Sequence, residues 1–394
     1  MTMDGKIRDL LDRGVVNIIP ASQKLEEVFK SDRKLNVYFG IDPTATKIHI
    51  GNAVPLRKLQ AFVELGHNIT FLIGDFTALI GDTSDKDTER PVLTYEQIQE
   101  NFKTYKEQAE KIVDFSKVKV VHNSEWLKNL KFEDIVKLCQ HFSFGDFASR
   151  ELIRARLDAG KPVGLHEALY PVMQGYDSYH LDTDIQIGGA DQTFNMQAGR
   201  TLLKDLSNKE SFVIVTGYLE GTDGRKMSKS WGNAIWLTDE PADMFGKVMS
   251  IKDSLIIQYF TLATNLPMGE IEIYKQELKS GKNPMEIKLV LAEKIVEELH
   301  NEQAAKAARE RFERTFQEKQ PEYSEELVVS RDTNIAEVVA KLIGSKSEAK
   351  RLINQRGVDI NETPVDDLSL IVKDDDKIKI GKRRFVKAKI NENS

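Results

Sequence analysis

The stretch DPTATKIHIGNAVPL, Asp42–Leu56, places a histidine and a glycine in a turn, directly before what reads as an amphipathic helix. A turn does not need a histidine. A helix does not need His49, Gly51 and Asn52 in this spacing in order to begin. The stretch is therefore either ordinary turn chemistry or part of a site for phosphate groups.

A second unusual stretch, GTDGRKMSKSWGN, covers residues 221–233. Glycines flank a run that contains Arg225, Lys226, Lys229 and two serines. A mobile loop of this composition could close over phosphates, because its ammonium groups would neutralise charge that develops on phosphoryl oxygens. Taken alone, the stretch is equally compatible with a solvated surface turn.

Strand-like apolar runs alternate with helical patterns in the first part of the chain, at 35–41, 68–74, 117–122 and 212–216. Between the first two runs, apolar residues recur at helical spacing and Gly66 follows as a C-cap. Strand, helix and strand in this order predict a parallel sheet with buried strands. Open sheets of this kind bind ligands at the carboxyl ends of their strands, and the turn that carries His49 follows such an end.

Two further regions have a mostly helical pattern. The first, from residue 124 to about 180, would interrupt the strands as an insertion between two halves of the sheet. The second runs from residue 241 to about 320. Residues 321–334 read as a linker or edge segment, and the last sixty residues change to short strands and turns around one basic helix.

Composition favours a soluble, cytoplasmic protein of two or three domains. The chain has 394 residues and a formal net charge of −6, so the whole molecule does not indicate nucleic-acid binding. From Arg331 onward, however, 14 Lys and Arg stand against 11 Asp and Glu, so this tail carries +3 and could favour a polyanion. Cys139 is the single cysteine, which fits a reducing compartment. No apolar run approaches the roughly 20 residues of a membrane span, and the N-terminus reads as an amphipathic helix without a signal-peptide core.

HIGN and KMSKS, with a strand–helix unit behind the first and the second late in the same sheet, resemble the signature pair of class I aminoacyl-tRNA synthetases. The resemblance implies that His49 and Gly51 belong to an ATP cradle at the N-terminus of a helix. Thr44 and His49 would bind the phosphates in the transition state, together with Lys226 and Lys229. The family's usual second histidine is replaced by Asn52, which keeps a side chain that can form hydrogen bonds.

The stretch ALYPVMQGYDSYHL, Ala168–Leu181, carries Tyr170, Gln174 and Asp177 at i, i+4 and i+7, which is one helical face. Periodicity alone would also fit a solvent-facing stripe. The arrangement resembles the tyrosine-pocket helix of tyrosyl-tRNA synthetases. The resemblance implies that Tyr170 and Gln174 bind the substrate ammonium, and that Asp177 accepts the phenolic proton beside Tyr38.

Two more stretches resemble motifs of the same family. In IGDTSDKDTER (80–90), Asp82 would complete the ammonium site, and Lys86 and Arg90 would steady the leaving pyrophosphate. The family's proline and glycine are replaced there by Thr83 and Asp85. In QIGGADQTFN (186–195), the resemblance implies that Gln186 lies near the amino acid and that Gln192 contacts the substrate carbonyl. Gly189 and Asp191 would contact the ribose. The implied ATP-binding set is completed by Gly40, Asp42, Met227 and Ser228. Asp42 before a proline could also be only a turn-former, and Gly188–Gly189 only a tight turn.

The resemblance covers nearly the whole chain. NSEWL (123–127), MFGKVMSI (244–251) and KMSKS look most like the second bacterial type of tyrosyl enzyme. The expected fold class is α/β, with a Rossmann-like parallel-sheet catalytic domain at 35–240 that holds the helical insertion. An N-terminal helical segment (1–34) would precede it. A helical anticodon-binding domain (241–325) and a small α+β domain that resembles the S4 RNA-binding fold (331–394) would follow.

RNA contacts are expected from the tail. The candidate residues are Lys346, Lys350, Arg351, Arg356, Lys382, Arg383 and Arg384. A solvated basic face is the alternative for any single one of them.

The resemblance implies activation of L-tyrosine with ATP and its transfer to tRNA(Tyr). Mg²⁺ would be bound through the ATP phosphates, and the enzyme would be a homodimer with the helical insertion at its interface. No metal site is expected in the protein itself, since His122, His141 and His166 do not form a ligand spacing with Cys139.

Three alternatives remain at this level. A tryptophanyl-tRNA synthetase shares the fold, but an indole has no hydroxyl to meet Asp177. A non-catalytic RNA-binding protein on a synthetase scaffold would not need His49, Asp82, Asp191 and KMSKS. A related nucleotidyltransferase would not need an anticodon domain or an S4-like tail.

Overall fold

The computed structural model describes residues 2–31, 33–44, 46–82, 94–228, 231–317, 323, 325–381 and 384–391. The chain divides into two compact units. Unit 1 contains residues 1–239 and 247–300, and unit 2 contains residues 240–246 and 301–394.

Unit 1 is built on a six-stranded sheet in the order β1-β6-β5-β2-β3-β4. Its strands are β1 (Val15–Ile19), β2 (Asn36–Ile41), β3 (Asn68–Ile73), β4 (Val118–His122), β5 (Ile185–Gly189) and β6 (Phe212–Thr216). The pairs from β6 to β4 are parallel, whereas β1 joins β6 antiparallel at the edge. Strands β5 and β6 are almost entirely apolar and buried, as expected for a sheet covered on both faces.

The strand order changes direction between β2 and β5. β2 pairs with β3 on one side and with β5 on the other. The loops that leave these two strands therefore diverge and open a crevice at the carboxyl edge of the sheet. The turn with His49 leaves β2, and the GADQ segment leaves β5, so the fold brings both motifs to this crevice.

Helices cover the sheet and form the insertion between β4 and β5. Those that precede β6 are α1 (Met3–Asp12), α2 (Ser22–Phe29), α3 (Ala53–Glu64), α4 (Tyr95–Ala109), α5 (Ser124–Leu127), α6 (Phe132–Cys139), α7 (Phe144–Ala148), α8 (Glu151–Asp158), α9 (Leu165–His180) and α10 (Thr193–Ser207). Helices α9 and α10 approach closely because of two glycines. A Cβ at Gly175 would lie 3.1 Å from the backbone of Ala198, and one at Gly199 would lie 2.3 Å from Ser178 Oγ.

More helices follow β6: α11 (Pro241–Met249), α12 (Ile256–Ala263), α13 (Met268–Lys279), α14 (Pro284–Leu299) and α15 (Glu302–Phe312), with a π-helical turn at Glu313–Gln317. Helix α12 packs against α3 and α14 inside unit 1. Helix α15 belongs to unit 2, and α11 is shared between the two units.

The end of the chain forms a second sheet in unit 2, in the order β7-β11-β10-β8-β9. Its elements are β7 (Glu325–Val329), α16 (Ile335–Ile343), α17 (Lys346–Asn354), β8 (Val358–Ile360), β9 (Thr363–Pro364), β10 (Lys377–Ile380) and β11 (Arg384–Ile390). It encloses a cluster of buried aliphatic residues that runs from Val329 to Ala388. The sheet and its two helices therefore have a hydrophobic core of their own.

The structure confirms the expected fold class and the four strands that were predicted from apolar runs. The segment 1–34 is not only helical, because VVNII forms strand β1 at the sheet edge. Strand β5 was missed as a strand because it is short and ends in two glycines. The tail has an apolar helix, α16, beside the predicted basic one.

Residues 241–325 are divided between the two units, so the anticodon-binding domain stays a prediction. Within the described residues, no helix is both long and apolar enough to cross a membrane.

Candidate active site

A cavity of about 360 Å³ opens at the carboxyl ends of the parallel strands. Its lining comes from β2 and the turn after it, from α9, from the segment after β5, and from the chain before and within the 221–233 loop. Five predicted motifs that are distant in sequence thus meet around one volume. The cavity has three sections: a polar end around His49, a middle section, and an apolar end around Tyr38.

At the polar end, His49 and Asn52 hold each other. Asn52 N donates to the ring nitrogen Nδ1 of His49 (3.2 Å), and the Asn52 side chain accepts from His49 N (3.3 Å). Burial, together with the nearby Lys226 ammonium, lowers the pKa of His49 to about 4, so the ring is neutral at physiological pH. Because Nδ1 accepts, the proton of the neutral ring sits on Nε2, which leaves an N–H donor.

Glycine is required after this histidine for a steric reason. A Cβ at Gly51 would lie 3.0 Å from His49 Nδ1 and would push the ring away. The turn is also fixed from outside: Ile50 N donates to Ile235 O (2.9 Å), and the rings of His49 and Trp236 are 5.8 Å apart. The chain after the 221–233 loop therefore supports the turn before α3. Gly40 and Thr44 line the cavity beside it.

The 221–233 loop is organised around Asn233, whose side chain is buried. Its Oδ1 accepts from Ser228 N (2.9 Å), and its Nδ2 donates to Asp223 Oδ1 (2.8 Å) and Lys226 O (3.2 Å). Lys226 and Met227 line the cavity. The Lys226 ammonium lies 3.5 Å from Asp191 Oδ2, which joins this loop to the segment after β5.

At the apolar end, Asp177 is buried and its carboxylate accepts two hydrogen bonds. The donors are Trp126 Nε1 (2.7 Å) and Asn123 Nδ2 (3.1 Å). Burial raises the pKa of Asp177 to about 8 against the effect of these two donors. The hydroxyl of Tyr38 is also buried here and lies 3.2 Å from Ser178 Oγ. The same Ser178 hydroxyl is 3.2 Å from Gln186 Oε1, which places all three groups in one network.

Two carboxylates occupy the middle of the cavity. Asp82 accepts from Gln192 Nε2 (2.6 Å) and is close to Asn195 Nδ2 (3.5 Å). Asp42 accepts from the hydroxyls of Tyr170 (2.8 Å) and Thr77 (2.7 Å).

Further predicted residues line the same cavity. They are Gln174 on α9 and the Gly189–Asp191–Gln192 segment. Ser228 is not among the lining residues, although its backbone belongs to the Asn233 network. Lys86, Arg90 and Lys229 lie outside the described residues, as do Thr83 and Asp85.

Sequence reasoning missed several side chains that hold the predicted ones. Thr77, Asn123, Trp126, Asn195 and Asn233 are buried and uncharged. The first four have partners on other elements, whereas Asn233 bonds to the loop that precedes it. A signal existed for Asn123, since it directly follows β4 and so lies at the carboxyl edge of the sheet. Trp126 and Asn233 carry no comparable local signal.

Four of the predicted basic residues of the tail, Lys346, Lys350, Arg351 and Arg356, lie on exposed positions of unit 2. Lys346 and Lys350 share one face of α17, and neither forms an ion pair with a described residue. Arg351 is held by Glu348, and Arg356 lies 2.8 Å from Asp366. Arg384 begins β11 and donates to the carbonyl of Leu342. Lys382 and Arg383 fall outside the described residues.

Comparisons with known proteins are consistent over the whole chain. A profile of the family described as tRNA synthetases class I (W and Y) matches residues 30–317, and an S4 domain profile matches residues 335–378. The chain is 42% identical to the tyrosine–tRNA ligase of Carboxydothermus hydrogenoformans, with 96% of each chain covered. It is 40% identical to that of Thermotoga maritima, over 98% of this chain and 97% of the relative.

Solved structures share the fold at lower identity. A C-terminally truncated mitochondrial tyrosyl-tRNA synthetase of Aspergillus nidulans matches with a TM-score of 0.66 at 21% identity, covering 79% of this chain and 94% of that one. A tyrosyl-tRNA synthetase of Archaeoglobus fulgidus, solved with L-tyrosine, matches with a TM-score of 0.61 at 23% identity, covering 78% of this chain and all of that one.

Proposed function

The chain belongs to the class I tRNA synthetases for tryptophan and tyrosine, and within them to the tyrosine–tRNA ligases; we propose that the cavity binds tyrosine at its apolar end and ATP at its polar end. The enzyme activates L-tyrosine with ATP, which gives tyrosyl-adenylate and pyrophosphate, and then transfers the tyrosyl group to tRNA(Tyr). The observation that carries the assignment of the two ends is the buried pair Asp177 and Tyr38 on one side and neutral His49 on the other.

The apolar end fits a phenol. A phenolic O–H can donate to the Asp177 carboxylate while the hydroxyl of Tyr38 meets the phenolic oxygen. Phenylalanine would offer neither buried group the hydroxyl that the site is built to meet, and sites of this kind reject the analogue by about 10⁴–10⁵, a magnitude known from tyrosyl-tRNA synthetases themselves. The indole of tryptophan has no hydroxyl to offer, so this pair favours tyrosine over tryptophan.

The middle of the cavity fits the amino-acid end of the substrate. Asp82, Tyr170 and Gln174 would surround the ammonium group, and a carboxylate partner is the strongest of these contacts. Gln192, which is bonded to Asp82, would then face the substrate carbonyl. Asp42 accepts hydrogen bonds from Tyr170 and Thr77 between the two ends, where it would contact the adenylate.

The polar end would stabilise phosphoryl transfer. The tyrosine carboxylate attacks the α-phosphorus of ATP in line, and the chain supplies position and charge rather than a covalent nucleophile. The Nε2–H of His49, the hydroxyl of Thr44 and the ammonium of Lys226 would meet the phosphate oxygens. Lys86, Arg90 and Lys229 are proposed to act on the departing pyrophosphate. Gly189 and Asp191 would contact the ribose.

Mg²⁺ is proposed to arrive with ATP, bound through its phosphates, as is usual for this ion. Within the described residues, no group of three His, Cys, Asp or Glu side chains is arranged to hold a metal. The bound ion would neutralise phosphate charge. A cytoplasmic location is proposed because tRNA charging supplies protein synthesis there.

The direct test is ATP–pyrophosphate exchange with the purified protein and each of the twenty amino acids in turn. Exchange with tyrosine alone is expected. Exchange with tryptophan instead would overturn the assignment of the apolar end, and exchange with none would overturn the catalytic reading of the cavity.

The S4 part is proposed to bind tRNA through its exposed cations, and its separate core makes it removable. A chain that ends at residue 317 loses the whole second sheet, including β7, which pairs with β11. This variant is expected to keep tyrosine-dependent exchange within about twofold and to lose at least about tenfold in kcat/KM for tRNA charging. Both reactions are measured on the same preparation, and equal losses in the two would contradict a separate RNA-binding role.

A homodimer is proposed through the helical insertion. Phe132, Phe144 and Leu165 are 81%, 67% and 77% exposed, which is high for large apolar side chains in one short region. A second copy of the chain would bury these side chains, since a two-fold interface buries the same surface on both chains.

Sedimentation at micromolar concentration is expected to give twice the 44.7 kDa chain mass. The double variant Phe144→Glu, Leu165→Glu should sediment as a single chain. Ile273→Glu, at a 59% exposed position on α13, serves as the matched control and should leave the mass unchanged. A wild-type chain that sediments alone would contradict the proposal.

A further inference from the structure

Asp75 is a buried carboxylate that does not line the cavity and has no part in the mechanism above. It accepts three hydrogen bonds from the chain that follows β4. The donors are Ser124 N (3.0 Å), Ser124 Oγ (2.8 Å) and the ring nitrogen Nδ1 of His122 (3.1 Å). A buried carboxylate with three donors ties the turn after β3 firmly to the turn after β4.

The residue between those donors is Asn123, and its side chain is fully buried. Its Oδ1 accepts from Phe76 N (3.0 Å), the residue after Asp75. Its Nδ2 donates to Thr77 Oγ1 (3.1 Å) and to Asp177 Oδ2 (3.1 Å). These contacts fix which way the amide points, because only the NH₂ group can donate to the Asp177 carboxylate.

Two interleaved triplets, 75–77 and 122–124, therefore form one joint. Asp75 bonds to both outer members of the second triplet. Asn123, its inner member, bonds to Phe76 N and Thr77 of the first triplet and to Asp177 at the cavity. We propose that Asp75, His122 and Ser124 act as a positioning clamp that holds Asn123 against Asp177 and so sets how well the enzyme reads the tyrosine hydroxyl. The inference rests on the proposed tyrosine pocket and extends it to residues that do not touch the substrate.

The electrostatics of the pair support the clamp. Although burial opposes it, the hydrogen bonds from His122 and Ser124 lower the pKa of Asp75. The hydrogen bond to Asp75 raises the pKa of His122, and Glu125 adds to this effect. The ring of Phe102 from α4 packs edge-on against His122 at 5.8 Å. The pair is therefore held as a charge-assisted contact beside the apolar end of the cavity.

The clamp is tested with two competitive ligands that differ only in the hydroxyl, tyramine and 2-phenylethylamine, as inhibitors of tyrosine-dependent exchange. His122→Phe keeps a ring against Phe102 but removes the donor to Asp75. It is expected to raise the inhibition constant of tyramine about tenfold and that of 2-phenylethylamine by less than about twofold. KM for ATP should stay within about twofold. His122→Gln, whose amide can donate, should recover part of the loss.

His141→Phe is the matched control, because His141 forms a similar pair with Asp205 (2.8 Å) that has no bond to Asn123 or Asp177. It should leave both inhibition constants unchanged. Ser124→Ala removes a second donor to Asp75 and should act in the same direction as His122→Phe.

Three outcomes would overturn the clamp. His122→Phe and Ser124→Ala could raise both inhibition constants equally, which would mean general loosening. The two variants could change neither constant. A wild-type enzyme that binds the two amines equally would overturn the tyrosine pocket itself, and the clamp with it, and the wild-type measurement alone distinguishes this case.

Discussion

Asp177→Ala is expected to lower kcat/KM for tyrosine in the exchange reaction by at least about 10³. The phenolic proton loses its acceptor, and the amide of Asn123 and the indole N–H of Trp126 lose the carboxylate that satisfies them. Neither of these buried donors can accept the phenolic proton, so the hydroxyl of tyrosine loses its proton acceptor in the pocket. KM for ATP should change little, since ATP is proposed to bind at the other end of the cavity.

Asp184→Ala is the matched control. Asp184 is buried to the same degree, directly before β5, but its bonds go to Arg33 (2.9 Å) and Asn36 N (2.8 Å) and not to the cavity. This change should lower thermal stability and leave the preference for tyrosine over phenylalanine intact. If Asp177→Ala kept normal tyrosine activation, or lost activity only as much as it lost folded protein, the assignment of the phenol site would be wrong.

The titration of Asp177 adds a pH dependence to the same experiment. Its pKa is raised to about 8, so the carboxyl carries a proton at neutral pH. The ionised form is the stronger acceptor for the phenolic O–H, so tyrosine binding favours loss of the carboxyl proton. KM for tyrosine is therefore expected to fall as pH rises from about 6 to about 8, and Asp177→Asn should remove this dependence.

Sequence patterns predicted much of this molecule because its strands are apolar and its motifs are local. Each of three motifs can be recognised within about fifteen residues, because its residue types fit no ordinary turn or core. They are the turn with His49, the Tyr170–Asp177 helix face and the 221–233 loop. The order of the strands in the sheet then decides which of these stretches meet. Because the order reverses between β2 and β5, the loops that follow these two strands lie on either side of one crevice.

The supporting side chains could not be predicted in the same way. Asn123 and Trp126 donate hydrogen bonds to Asp177 from another element. These contacts depend on how the elements pack and not on the spacing of the residues along the chain. Asn233 looks like an ordinary loop residue, yet it organises the loop before it through three hydrogen bonds. Strand β1 was missed for another reason: its apolar residues follow closely on the amphipathic pattern of α1, so they read as part of one helical segment.

His49→Ala is expected to lower kcat for exchange by about 10²–10³ while KM for tyrosine stays within about twofold. The reason is the protonation state: a neutral ring whose Nδ1 accepts from Asn52 N offers its Nε2–H to charge that develops only in the transition state. Since the pKa of about 4 lies far below neutrality, this contribution should not vary between about pH 6 and pH 8.

The control for His49 is His67→Ala, because His67 is also a neutral acceptor of a backbone N–H but lies outside the cavity. It should leave exchange kinetics unchanged. Asn52→Ala should fall between the two, because it removes the side chain that accepts from His49 N without removing the Nε2 donor. If Asn52→Ala were as damaging as His49→Ala, position 52 would itself contact the phosphates. If His49→Ala raised KM for tyrosine and left kcat unchanged, the polar end would not be where phosphate charge develops.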